Sequence, residues 1–141
     1  MNVTKKNEIY NTLKTYLVEK SLYEPRVIPF ALKVSDKFPL VTILEEGNVH
    51  SQQTTKTRIR ETVSNMYYEI NIYTNDKIVD NVKTSRVQIA DELKELVDKV
   101  MGGYYQFERT LCQPTPNLDE NVYRITMRYT AMLLENRDRL I

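Results

Sequence analysis

Residues able to do chemistry are few in this chain, and most stand alone. His50 is the single histidine, so a histidine metal cluster is impossible and a Ser/His/Asp arrangement would depend on one imidazole in a polar stretch. It reads as a solvated loop residue. Asp91, Glu95 and Asp98 recur at i, i+4 and i+7, which sets three carboxylates on one side of a helix, where a metal or an acid–base pair would need them. Lys94 and Lys99 are interleaved with them, and Glu95 to Lys99 is a favourable i, i+4 pair, so the reading is a solvated helix face. Glu45-Glu46, at a strand end, lacks the fixed separation in a cleft that paired hydrolytic acids need. The one cysteine, Cys112, excludes an intramolecular disulfide and any multi-cysteine zinc or iron–sulfur site, and is expected as a small buried apolar residue. Three glycines cannot build a dinucleotide fingerprint, and no Gly-Lys-Ser or Gly-Lys-Thr phosphate loop exists. The chain therefore reads as a protein that is not an enzyme, with no catalytic residue, metal or cofactor.

Binding residues are better supplied. Lys56, Arg58 and Arg60 alternate, so an extended segment would present three cations on one side, to phosphates or to the acidic surface of a protein partner. Twenty Lys and Arg against nineteen Asp and Glu leave a net charge of +1, too little for a global field that recruits nucleic acid. Ten tyrosines stand against three phenylalanines and no tryptophan, and tyrosine, with large area and a polar tip, is enriched at protein interfaces. Tyr67 and Tyr73 fall on the polar side of a strand, where they are expected to be exposed. Arg124 and Arg128, flanked by Thr126 and Thr130, read as a solvated strand face or as one that docks a neighbour.

The 141 residues, 41% hydrophobic and 28% charged, suit one globular domain over residues 1–141. There is no secretory apolar segment at Met1–Lys6 and no apolar run long enough to span a membrane, so a soluble protein made in the cytoplasm is expected. Ile9, Leu13, Tyr16 and Leu17 form one buried stripe of a helix over Thr4 to about Lys20. Pro25, Pro29 and Pro39 then deny helix, leaving a connector with room for a short edge strand around Arg26 to Ile28. Leu40–Leu44 predicts strand one, stopped at Gly47. Asn48 to Thr62 is a long polar loop, and loops of that length are usually functional or disordered. Val63–Thr74 alternates as strand two. Ser85 with Gln88 has the form of a capping box, and Ile89, Leu93, Leu96, Val97 and Val100 make the stripe of a second helix stopped by Gly102-Gly103. Tyr104–Cys112 is strand three and Tyr123–Leu133 strand four, before a charged tail at 135–141. The order α-β-β-α-β-β predicts a two-layer α+β sandwich: a mainly antiparallel four-stranded sheet with both helices on one face.

The run Ser64-Asn65-Met66-Tyr67-Tyr68-Glu69-Ile70-Asn71-Ile72-Tyr73-Thr74, the following helix and the strand Tyr123-Arg124-Ile125-Thr126-Met127-Arg128-Tyr129 resemble the neck and tail-completion proteins of long-tailed bacteriophages, the tail terminators especially. The resemblance spans about residues 5–134 and lies in element order, size and strand character. It implies a virion structural protein of the tail or neck: a homo-oligomeric ring, commonly a hexamer, that caps the head-proximal end of the tail tube and stops its polymerisation. Its partners would be the tail tube protein and the head–tail connector, with DNA passing through the lumen unread and no membrane involved. Other head–tail joining proteins fit nearly as well, and a small nucleic-acid-binding accessory protein is the alternative outside that class. On this reading residues 48–62 are the assembly arm, and Lys56, Arg58, Arg60, Tyr67, Tyr73, Arg124 and Arg128 are interface residues assigned from expected exposure.

Overall fold

The computed structural model describes residues 2–29, 37–50, 61–116 and 121–136. Helix α1 (Asn2–Lys20) buries Ile9, Leu13 and Leu17 completely, one per turn on the predicted stripe, with Tyr16 half-buried beside them. Strand β1 (Arg26–Ile28) follows, tied to α1 by the Tyr10 hydroxyl, which donates to the Val27 carbonyl at 3.2 Å. Then come β2 (Leu40–His50), β3 (Glu61–Thr74), and a hairpin of β4 (Lys77–Val79) and β5 (Val82–Thr84). Helix α2 (Arg86–Asp98) runs into a π-helical turn (Lys99–Tyr104), and β6 (Glu108–Pro114) and β7 (Tyr123–Asn136) complete the chain.

The main sheet has five strands in the order β1-β2-β3-β7-β6, and β4-β5 forms a separate two-stranded ribbon. All neighbours in the large sheet are antiparallel except β1 and β2, which run parallel. The class is α+β as expected, but the four-stranded sheet and the order α-β-β-α-β-β are not what forms. The short segment Arg26–Ile28 joins the sheet as a fifth strand, and the Asp80-Asn81 turn, with φ of 52° and 65°, makes a hairpin that the sequence reading passed over. One core fills the space between helices and sheet, where Met66, Tyr68, Ile70 and Ile72 of β3 and Ile125, Met127, Tyr129 and Ala131 of β7 meet both helix stripes.

Several predicted boundaries move for physical reasons. Gly47 does not stop the second strand: the register shifts between Glu46 and Asn48, a β-bulge at the glycine, and pairing resumes to His50 opposite Ser64. His50 is thus the last residue of β2 rather than a loop residue, and the polar loop loses 48–50 and 61–62 to strands; residues 51–60 lie outside the described residues. Gly102-Gly103 do not end helix two either. They sit inside the π-helical turn, whose wider coil, closed by Tyr105 N donating to the Val100 carbonyl at 3.0 Å, lets Val97, Val100 and Met101 all face the core. Strand three consequently starts at Glu108 rather than at Tyr104. Glu135 and Asn136, expected in the charged tail at 135–141, instead pair with β3; 137–141 are outside the described residues. No helix among the described residues is long and apolar enough to cross a membrane.

Candidate functional site

Strict alternation gives β3 and β7 a second face, turned away from the helices. Register sets its residues in direct opposition across the two strands: Tyr67 with Thr130, Glu69 with Arg128, Asn71 with Thr126, and Tyr73 with Arg124. A continuous chain of hydrogen bonds results. Thr115 Oγ1 donates to Thr126 Oγ1 at 2.6 Å, and Thr126 Oγ1 to Asn71 Oδ1 at 2.7 Å. Arg124 Nε also donates to Asn71 Oδ1, at 3.0 Å. The Asn71 amide in turn donates to Glu69 Oε2 at 3.0 Å, and Arg128 Nε donates to Glu69 Oε1 at 3.0 Å.

Asn71 and Thr126 are only 2% and 5% exposed, so the centre of this face is a buried polar network, stable only because each member is satisfied. Burial opposes ionisation of Glu69. The bonds from Asn71 and Arg128, with the charges of Arg128 and Arg124, more than offset that and hold the carboxyl below its ordinary value. In the next strand Thr42, opposite Asn71, is also buried, and its Oγ1 has no partner.

The predicted interface residues separate under this geometry. Tyr67 is 42% exposed, as expected. Tyr73 is not: it is 6% exposed and packs with Leu40 and Val122, against which Ile28 and Phe38 also lie. This corrects its expected exposure, because β1 and the residues before β2 bring apolar side chains over that end of the face. The Arg124 guanidinium lies 5.4 Å from the centre of the Tyr73 ring. Burial moves the Tyr73 phenol up; Arg124 opposes the shift and Glu69 adds to it. Arg124 is half-buried and Arg128 exposed, and both are committed to partners on the sheet rather than free. Lys56, Arg58 and Arg60 lie outside the described residues.

The helix-two carboxylates are not gathered for chemistry. Asp98 accepts a 2.6 Å bond from the buried Tyr129 hydroxyl and pairs with Arg109 at 3.6 Å, while Asp91 pairs with Lys94 at 3.9 Å. Among the described residues no three His, Cys, Asp or Glu side chains come together to hold a metal. Cys112 is free and half-buried against the core, less enclosed than expected. Sequence reading missed Asn71, Glu69, Thr126 and Thr115 as a unit. The signal was present in the two alternating polar sets, but their meeting depends on a register between strands more than 50 positions apart.

What this face can do is hold a fixed pattern of donors, acceptors and paired charges at a surface, which suits recognition of another polypeptide. Neither a protein-family model nor a curated protein matches the chain.

Proposed function

We propose that this chain is a structural assembly subunit of the tail-terminator type, closing a ring on the head-proximal end of a tail tube, stopping tube growth and joining the tail to the head connector. One observation carries the reading: three strands outrun the edge strand β6. β6 leaves β7 at Thr130, whereas β3 and β7 stay paired to Glu61 and Asn136, and β2 stays with β3 to His50. At about 3.3 Å per residue, Ala131–Asn136 carries this ribbon roughly 20 Å past the end of β6. Among the described residues its outer backbone edges are unpaired, and such edges are pairing sites for another chain. A ring needs contacts on two different flanks of each subunit, and a ribbon reaching out from one side supplies one of the two.

The ribbon leads into residues 51–60, where Lys56, Arg58 and Arg60 supply charge for a partner's acidic surface. Arg124 and Arg128, tied to Asn71 and Glu69, contribute register on the sheet face and little grip on a passing duplex. The protein is then a non-enzymatic virion component without cofactor, and its partners are copies of itself, the tube protein and the connector.

The test is arrest of tube growth. Purified chain added at low ratio to polymerising tail-tube protein should shorten the tubes and appear as a cap at one end by electron microscopy. Replacing residues 51–60 by a short Gly-Ser turn should leave the domain folded and remove the arrest. Tubes of unchanged length, or arrest that survives the replacement, would contradict the proposal.

A further inference from the structure

The far end of β3 carries a second exposed feature. The strand runs from Glu61 in the ribbon to Thr74, roughly 45 Å at about 3.3 Å per residue, and the β4–β5 hairpin starts just beyond it. The hairpin is a sheet of its own whose outer backbone edges are unpaired among the described residues, and a lone two-stranded ribbon is marginal in water unless something packs on it. Ile78 and Lys83 stand directly opposite each other and are both exposed. Ile78, Val82 and, at the start of α2, Val87 are three of the seven large hydrophobic side chains exposed among the described residues, Ile78 at 75% and Val82 at 63%. Apolar exposure concentrated in this way marks an interaction surface. Neither Lys77 nor Lys83 has an ion pair among the described residues, and Asp80 is the one acid within residues 77–84.

We propose that the β4–β5 hairpin is the second flank of the subunit and receives the ribbon of a second copy of this chain, an inference that rests on the ring reading above. The charges complement each other. The stem of the ribbon, residues 43–50, 61–66 and 131–136, holds Glu45, Glu46, Glu61 and Glu135 and no Lys or Arg; Lys56, Arg58 and Arg60 lie past it. Glu45 already accepts from the Tyr68 hydroxyl at 3.4 Å, so Glu61 and Glu135, on neighbouring rungs of the β3–β7 ladder, are the acids assigned to Lys77 and Lys83. The chemistry of the strands also matches, since Ala131-Met132-Leu133-Leu134 lies on the β7 edge that β6 leaves unpaired and can add as a strand beside the aliphatic hairpin. Ribbon and hairpin lie at opposite ends of one strand and are different surfaces, so their union is head-to-tail, the kind of contact that closes rings.

The experiment is a charge swap in the full chain, read by native mass spectrometry alone and with tail-tube protein, after far-UV circular dichroism has shown each variant folded. K77E/K83E opposes an acidic hairpin to an acidic stem, and E61K/E135K opposes a basic hairpin to a basic stem. Each variant alone should need about tenfold or more protein to assemble, the scale of like charges brought together at an interface. An equimolar mixture restores attraction at every contact and should assemble near the parent concentration, with the two variants in equal numbers in each ring. K83E alone serves as the milder variant should the double change fold poorly. A parent ring with variants that assemble as well as the parent, or a mixture no better than either variant, would overturn the hairpin assignment and leave the ring reading standing. Variants that keep the ring and lose only the tube would assign the hairpin to the tube protein and overturn it too. A parent that stays monomeric with tube protein present would overturn both.

Discussion

Replacing Asn71 with alanine removes the acceptor shared by Thr126 and Arg124 and the donor to Glu69 at one stroke. Thr126 is 5% exposed, and a buried hydroxyl left unsatisfied costs about 1–3 kcal/mol. The low end applies, since Thr126 can reverse its 2.6 Å bond with Thr115, whose own hydroxyl then turns to the Gln113 carbonyl at 3.5 Å. Glu69 keeps Arg128 and the half-buried Arg124 reaches water, so each of those losses adds roughly 0.5 kcal/mol. The expected total is about 2 kcal/mol, or about 6–8 °C in Tm for a chain of this length. Urea unfolding followed by far-UV circular dichroism measures it. A cycle with Thr126→Val sharpens the test, because each single change already loses the shared 2.7 Å bond and the double change loses it only once. The double loss should therefore fall short of the sum by about 1 kcal/mol. Asn71→Ala within 0.5 kcal/mol of the parent (about the scatter of a surface change), or strict additivity with Thr126→Val, would refute the claim that this network fixes the outer face.

Thr42→Val keeps the shape and deletes a buried hydroxyl that has no partner, so it should stabilise the protein by about 1 kcal/mol; a loss in the same urea experiment would contradict that. Ser85 Oγ accepts from Gln88 N at 3.2 Å at the start of α2, and Ser85→Ala should lower stability by about 1 kcal/mol, read as a lower thermal midpoint. Burial first, then the bond to Asp98, holds the Tyr129 phenol well above its ordinary value. The unfolded phenol ionises near pH 10 while the folded one does not, so this contribution is complete below pH 10 and is lost as pH rises above it, at up to about 1.4 kcal/mol per pH unit. Urea midpoints at pH 9 and pH 11 should fall further for the parent than for Tyr129→Phe, and parallel profiles would contradict the assignment.

What could be read in advance was whatever repeats locally. Ile9, Leu13 and Leu17, and Ile89, Leu93 and Val97, are buried as their spacing predicts, and Ser85 caps α2, because a helix stripe and its cap are written within a dozen residues. The strand faces of β3 and β7 were legible for the same reason. The failures are where distant segments decide. Tyr73 alternates with polar residues yet is buried, because Leu40, Val122 and Phe38 come to it from elsewhere in the chain. The Asn71–Thr126 bond and the parallel pairing of β1 with β2 likewise depend on long-range register. Gly47 and Gly102 show a different limit: a glycine permits a stop, a bulge or a π-helical widening alike, and continued pairing or burial beyond it selects which. Two three-residue strands around Asp80-Asn81 are too short for alternation to register as a pattern.

The claim that this chain works by closing a ring is tested most directly by native mass spectrometry of the full-length protein, alone over a wide concentration range and then mixed with tail-tube protein. A single closed oligomer of fixed subunit number, six in the simplest case, formed alone or on the tube, is the predicted result. A monomer under both conditions would contradict it.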